Sequence, residues 1–445
     1  VIDIALENLS DLSFKELERS VMRDVVTFPK DVELSVKRII DDVERCGDEA
    51  LIRYTERFDG LRIGSEELQV DDREIIEAAR GVDDDVVQAL KKASERVMAF
   101  HEQARPRDWE FTDRFGNVLG QKYTPLERVG MYIPGGKASY PSSLIMTAVP
   151  AAAAGVRDLV VCSPPSSFET PSALCAALRV IGFEGKVFRV GGVQAVAALA
   201  LGNTSIPRVD KIVGPGNLYV AMAKKALYGL VDIDMVAGPS EVLILVDGSV
   251  HPRLTAVDLL AQAEHDELAR AMCLSASFEH AREIRKWVLE LAEKSPRRDI
   301  LSESLSRRGW IYAVRDLDTA VRLANSIAAE HLEIQTEDSR SLLPKIKNAG
   351  AVFLGPHSAE SFGDYVAGPS HVLPTGGTAR YFSPLNVLSF MKVSSIIEMS
   401  PEGVRMLGGA ASILADSEGL RAHGDSVRYR MKDLTEDNYK KGADT

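Results

Sequence analysis

Apolar positions recur at helical spacing through residues 31–58 and 83–103, which predicts long amphipathic helices there. Asp83, Asp84 and Asp85 are placed to cap and charge the start of the second one. His101 falls among the charged residues of that helix and reads as solvated. Between the helices, residues 61–70 read as a short irregular or extended segment. Residues 109–121, centred on Phe115-Gly116-Asn117, read as a hairpin. From Arg128 the period changes. Short β-branched or apolar runs end in Gly or Pro and give way to helical segments. Met131-Tyr132-Ile133 leads to Pro134-Gly135-Gly136, residues 159–162 to Ser163-Pro164-Pro165, residues 187–190 to Gly191-Gly192, and residues 211–213 to Gly214-Pro215-Gly216-Asn217. Such alternation predicts a mostly parallel sheet with right-handed crossovers. Its βα loops gather at the carboxyl edge, where ligands bind in open α/β folds, and glycine there lets a ligand approach the backbone. No Gly-x-Gly-x-x-Gly follows any strand, so the ordinary dinucleotide fingerprint is missing.

A second series follows, with strands expected at 242–246, 271–276, 310–314 and 351–354 and helices at 255–266, 279–294, 317–329 and 339–348. The predicted fold class is α/β, with two incomplete Rossmann-like α/β domains, one of them discontinuous, and small helical extensions at both ends. The expected division is an N-terminal helical extension (1–26), a discontinuous domain (27–130 with 242–382), an inserted domain (131–241) and a C-terminal helical extension (383–445).

Polar residues that break the periodicity are the candidates for chemistry. Gln262 and His265 stand three apart on a predicted helix and can point at one atom; an imidazole is a good zinc ligand and an amide oxygen an unusual one. Taken alone the pair reads as the polar edge of an amphipathic helix rather than as a metal site. Glu330-His331, at a helix-to-strand junction, offers two groups whose pKa values burial can tune for proton transfer; the structural alternative is a histidine stabilised by a helix C-terminus. Residues 358–378 form a long polar stretch holding Asp364 and His371, and such loops inside compact domains carry function more often than not. His423, far along the chain, reads alone as a surface histidine.

Composition narrows the classes. The chain has 445 residues and a formal net charge of -12, its basic residues are scattered, and a nucleic-acid partner has little electrostatic support. Four separated cysteines form no Cys-x-x-Cys pair, which fits a reducing compartment and no thiolate metal site. The most apolar window, 144–156, is too short for a bilayer span, and no signal-peptide pattern opens the sequence. A cytoplasmic protein with no membrane partner is expected.

In order along the chain stand residues 129–136 (VGMYIPGG), Gly191-Gly192-Val193-Gln194-Ala195, Gly214-Pro215-Gly216-Asn217, Ala237-Gly238-Pro239-Ser240-Glu241, Gln262-Ala263-Glu264-His265, Glu330-His331-Leu332, Gly363-Asp364-Tyr365, His371-Val372-Leu373-Pro374-Thr375 and residues 418–423 (EGLRAH). Together they resemble the histidinol dehydrogenase family over roughly residues 31–430. The resemblance implies a four-electron oxidation of L-histidinol to L-histidine through L-histidinal, the last step of histidine biosynthesis, using two NAD. It implies one zinc per subunit held by Gln262, His265, Asp364 and His423, with His423 supplied by the other subunit of a homodimer. It implies His331 as the base, Glu330 as the residue activating water, and Ser240, His371 and Glu418 as further substrate contacts beside the metal ligands and His331. Tyr132, Gln194 and Asn217 match the family's NAD-contacting positions. A related zinc and NAD enzyme oxidising another alcohol, such as a sulfonated diol, is the competing expectation. Against it, a sulfonate calls for a basic residue where Glu418 stands.

Overall fold

A computed structural model of the chain describes residues 2–21, 29–135 and 140–435. Gly136, expected in the Gly-rich loop, and residues 22–26 of the expected N-terminal extension lie outside the described residues. The chain divides into two compact units, one comprising residues up to 104 with 126–390, the other 105–125 with the segment from 391 onward.

The first unit opens with β1 (Ala5–Asn8), α1 (Phe14–Val21), α2 (Lys30–Cys46), α3 (Asp48–Asp59), α4 (Asp72–Ala78) and α5 (Asp84–Gln103). After β2 (Trp109–Thr112) and β3 (Val118–Pro125), which belong to the second unit, it resumes with β4 (Arg128–Tyr132), α6 (Pro141–Ala154), β5 (Asp158–Cys162), α7 (Ala173–Val180) and β6 (Lys186–Phe188). Then come α8 (Gly192–Leu201), β7 (Lys211–Val213), α9 (Leu218–Leu227) and β8 (Asp232–Ile233). Strands β6-β5-β4-β7-β8 form, in that order, a five-stranded parallel sheet. Counted from its own first strand, this is the doubly wound dinucleotide-binding order with the sixth strand missing.

The chain continues through β9 (Glu241–Val246), α10 (Pro252–Ala263), β10 (Arg270–Ser275), α11 (Phe278–Ala292), α12 (Arg298–Arg308), β11 (Trp310–Ala313), α13 (Leu317–Ile327), β12 (His331–Gln335), α14 (Ser339–Leu342), β13 (Ala351–Leu354) and α15 (Glu360–Tyr365). Strands β1-β11-β10-β9-β12-β13 form a six-stranded parallel sheet with the same internal order, extended at its edge by β1. The six residues of β9 are all buried, as a parallel strand covered on both faces requires.

The second unit is a three-stranded antiparallel sheet, β14-β3-β2, with β14 at Met391–Glu398, and a pair of packed helices, α16 (Pro401–Ser417) and α17 (Arg421–Thr435).

Several expectations change. The N-terminal extension is not purely helical, because β1 pairs with β11 in the six-stranded sheet. Residues 30–59 are two helices, broken at Gly47, whose φ of 52° ends the first. These helices do not join the 242–382 segment as expected. Val32, Val36, Leu51 and Tyr54 share a core with Tyr132, Val160, Val196 and Val220 of the five-stranded sheet and its helices, because their apolar stripes face α8 and α9. The C-terminal segment begins with a strand, β14, not a helix. Asp83 caps α5 as its position suggested, accepting the Asp85 N–H at 2.8 Å. Among the described residues no helix is long and apolar enough to cross a membrane.

His101 is fully buried rather than solvated, and neither ring nitrogen has a hydrogen-bond partner among the described residues. Burial pushes its pKa down to about 4. As pH falls through about 6.5 the unfolded chain takes up a proton that the folded chain refuses until about pH 4, so stability is lost across that window. His101→Leu should remove this penalty: measured by urea unfolding, its stability relative to the parent rises by up to roughly 3 kcal/mol between pH 6.5 and 4. An unchanged difference over that range would contradict it.

Candidate active site

Gln262, His265, Glu330, His331 and Asp364 meet at the amino edge of the six-stranded sheet, between β9 and β12, not at its carboxyl edge. Helix α13 ends through Ala328, which holds a left-handed φ of 52° without being glycine; a Cβ there costs roughly 1–2 kcal/mol. The turn delivers Glu330 just before β12 and His331 as its first residue, both almost fully buried. The histidine is therefore a core residue at a strand start, not a cation at a helix C-terminus. Gly350 packs on this turn so closely that a Cβ would lie 2.5 Å from the Glu330 carbonyl oxygen. Glu330 Oε2 accepts the Glu241 N–H at 2.9 Å, which ties the turn to the start of β9.

Carboxylates surround the His331 ring. Nδ1 lies 3.8 Å from Glu330 Oε2 and 3.9 Å from Glu360 Oε2, and Nε2 lies 3.6 Å from Asp364 Oδ1. Burial alone would lower the imidazole pKa, but Glu330, Asp364 and Glu360 outweigh it and push it up to about 10. Burial pushes Glu330 up to about 8 and Glu360 well above the ordinary carboxylate range. Asp364 goes the other way, because the imidazoles of His331, His371 and His265 overcome its burial.

Gln262 and His265 approach from α10. Gln262 is on the last turn and fully buried, whereas His265 lies just past the helix, its N–H donating to the Gln262 carbonyl at 3.2 Å. The Gln262 amide nitrogen faces Glu360 Oε2 at 3.2 Å and the Glu241 carbonyl at 3.3 Å, acceptors in any protonation state, which turns its oxygen toward His265. His265 Nε2 is 4.0 Å from Asp364 Oδ2. An amide oxygen, an imidazole and a carboxylate thus converge, a donor set that fits zinc. Among the described residues no group of three His, Cys, Asp or Glu side chains forms a metal cage. His371 Nδ1 donates to the Asp364 carbonyl at 3.0 Å, and its Nε2 lies 3.4 Å from Ser143 Oγ. Ser240 precedes β9, in a loop held by the Gly238 N–H on Thr375 Oγ1 at 2.5 Å. Glu418 and His423 are in the second unit, both exposed, at the end of α16 and in α17.

Tyr132, Gln194 and Asn217 gather at the carboxyl edge of the five-stranded sheet, where the strand order reverses between β4 and β7 and dinucleotides bind in doubly wound folds. The Tyr132 hydroxyl accepts the Gly192 N–H at 3.1 Å. Gln194 is buried and its carbonyl oxygen has no partner among the described residues, an orphaned acceptor suited to a ligand. Asn217 Oδ1 caps α9, accepting the Tyr219 and Val220 N–H groups. Gly214 is obligatory: its φ is 116° and a Cβ would meet the Tyr132 carbonyl oxygen at 2.1 Å.

The family model described as "Histidinol dehydrogenase" matches residues 23–431. The chain belongs to this family. It is 51% identical over 407 residues to histidinol dehydrogenase of Syntrophotalea carbinolica, covering 92% of this chain and 94% of that protein. The counterpart from Carboxydothermus hydrogenoformans is 48% identical over 404 residues, covering 90% and 94%. The crystal structure of histidinol dehydrogenase from Elizabethkingia anophelis superposes with a TM-score of 0.92 at 31% identity, covering 98% of this chain and 99% of that one. The chain is accordingly an oxidoreductase of this family.

Sequence reasoning missed Glu241, Glu333 and Glu360, all buried near His331. Glu360 lay in the polar stretch already singled out, and Glu333 in the Leu332-Glu333-Ile334 alternation, where a charged residue ordinarily marks a solvated face. It also missed Lys224 and Asp234. They form a buried ion pair; Lys224 Nζ donates to the Gly214 carbonyl at 3.0 Å and Asp234 Oδ2 accepts the Gly214 N–H at 2.8 Å. Lys224→Met should destabilise by about 3–5 kcal/mol, because it leaves a buried carboxylate unpaired. Adding Asp234→Asn should recover part of the lost thermal midpoint; strictly additive losses would show that the two groups do not act as a pair.

Proposed function

We propose that the chain oxidises L-histidinol to L-histidine through enzyme-held L-histidinal, with two NAD and one water consumed and two NADH formed. The observation that carries this reading is the convergence of buried Glu330, His331 and Gln262 with half-buried Asp364 and exposed His265 in one cluster, within a chain about half identical to proteins named for this activity. The acids around the site suit the cationic amine and imidazole of histidinol, and they disfavour a sulfonated diol.

Gln262, His265, Asp364 and, from the partner, the equivalent of His423 would hold zinc. Zinc there supplies a template for the substrate's nitrogens, and its positive charge offsets the carboxylates that otherwise keep His331 protonated. NAD at the Tyr132, Gln194 and Asn217 edge supplies the hydride acceptor in both halves of the reaction. His331 takes the hydroxyl proton of the alcohol and later that of the aldehyde hydrate, each loss allowing a C–H hydrogen to depart with its electron pair. Glu330, with a pKa near neutrality, removes a proton from the water that adds to the aldehyde carbonyl. His371, anchored on the Asp364 backbone, and Ser240 orient the substrate.

A homodimer with shared sites completes the reading. It is supported by the exposed apolar residues of the second unit, among them Ile397, Ile413, Leu414 and Tyr429, and by the exposure of Glu418 and His423 on the same unit.

Two experiments test these points. Limiting L-histidinol with excess NAD should yield two NADH per substrate; one NADH, or no turnover with histidinol but turnover with a diol, refutes the reaction. Glu330→Gln and His423→Ala homodimers should each lose at least about a hundredfold in kcat. Co-expressed, they should regain about a quarter of parental activity, since half the dimers carry one intact site. No recovery would contradict sites shared between subunits.

A further inference from the structure

Strand β12 carries a polar stripe on one of its two buried faces. His331, Glu333 and Gln335 alternate with Leu332 and Ile334, so the three point the same way, and all are at most 5% exposed. Leu332 and Ile334 fill the opposite core with Leu243 and Leu245. The polar face looks toward α10, whose Ala256, Leu259 and Ala263 pack on the matching face of β9 through Val242, Ile244 and Val246. Apolar residues would ordinarily occupy such positions in a parallel sheet.

The atoms below His331 are bonded to two other elements. Gln335 Oε1 accepts from Thr255 Oγ1 at 2.6 Å, and Gln335 Nε2 donates to Asp258 Oδ2 at 2.7 Å and to Glu333 Oε2 at 2.8 Å. Glu333 Oε1 accepts the Glu360 N–H at 2.8 Å. The spacing of these anchors is the telling feature. Asp258 is one helical turn before Gln262 on α10, Glu360 is one turn before Asp364 on α15, and Glu333 is one pleat beyond His331 on β12. The network therefore joins the three elements immediately behind the three groups that must converge.

We propose that Glu333, seated by Gln335 and Asp258, is a positioning residue that fixes α10, β12 and α15 relative to one another and so aims Gln262, His331 and Asp364 at a common point. This rests on the functional reading of those three residues given above. Burial, reinforced by the nearby Asp258 carboxylate, pushes the Glu333 carboxyl up to about 8, so at neutral pH it is largely uncharged, and a glutamine reproduces its shape and the oxygen that accepts the Glu360 N–H, giving up only the acceptor for Gln335 Nε2. Its contribution is geometric, and supporting groups behind metal ligands typically matter 10–100-fold in metal affinity or activity.

The test compares Glu333→Ala, Glu333→Gln and Asp258→Ala with the parent enzyme, measuring zinc affinity by chelator competition, kcat and KM with L-histidinol and NAD, and the thermal midpoint. Glu333→Ala should lose about 10–100-fold in zinc affinity and kcat while KM for NAD stays within about twofold, because the NAD loops lie on the other sheet. Glu333→Gln should remain within about threefold of the parent, and Asp258→Ala, at a half-exposed helical position, should shift zinc affinity and kcat in the same direction by at least about threefold. A Glu333→Ala enzyme with a lower midpoint but unchanged zinc affinity and kcat overturns the proposal, since that is a stabilising role alone. If that variant does not fold, Asp258→Ala decides by the same measures. A parent enzyme that neither binds zinc nor oxidises histidinol overturns the functional reading itself, whereas an active parent with indifferent variants overturns only the positioning role.

Discussion

An imidazole held in the core by three carboxyl groups is the arrangement around which this molecule is built. Burying charge costs several kcal/mol per ion unless it is paired or hydrogen-bonded. Around His331, the Glu330 carboxyl is met by the Glu241 N–H, the Glu360 carboxyl by the Gln262 amide, and the Asp364 carboxyl by the imidazole itself. That demand explains the local irregularities: a left-handed alanine at the end of α13, a glycine pressed against Glu330, and an amide at Gln262 turned inward to face two acceptors. Each local cost is small beside that of an uncompensated buried charge.

The two parallel sheets repeat one strand order but use opposite edges. In the five-stranded sheet, the carboxyl edge at the order reversal holds the glycine-rich loops, as the general rule for open α/β sheets expects. In the six-stranded sheet the corresponding reversal lies between β9 and β12, and the clustered Glu330 and His331 side chains stand at the amino edge, where the carboxyl end of α10 also arrives. The helix returning from β9 carries Gln262 back to the start of that strand, beside Glu241 and Glu330.

Much of this was legible in the sequence, and the failures have physical causes. The strands at 211–213 and 351–354 match β7 and β13, because short apolar runs closed by glycine or proline admit few other structures. The expected Glu330, His331, Gln262, His265 and Asp364 do converge, though neither Gln262 nor His265 could be distinguished from a helix edge by spacing alone. His101 reads as solvated because its helix neighbours are charged, whereas α5 packs against α6 and buries it, a long-range pairing that pattern does not reveal. Strand β1 and the packing of α2 and α3 depend on long-range pairing for the same reason. The buried acids escaped notice because local sequence assigns carboxylates to solvent, and only tertiary partners reverse that.

The segment between β8 and β9 leaves one sheet and enters the other. Near its start Asp234 grips the backbone of Gly214 in the glycine-rich loop, and at its end the Glu241 amide holds Glu330. Seven peptide links separate these two grips, no more than about 25 Å of fully extended chain. The segment therefore acts as a short inextensible strap between the two sheets. Relative motion of the two sheets can slacken it but not stretch it, so the distance between the Gly214 loop and the Glu330 turn is mechanically bounded by a single stretch of backbone.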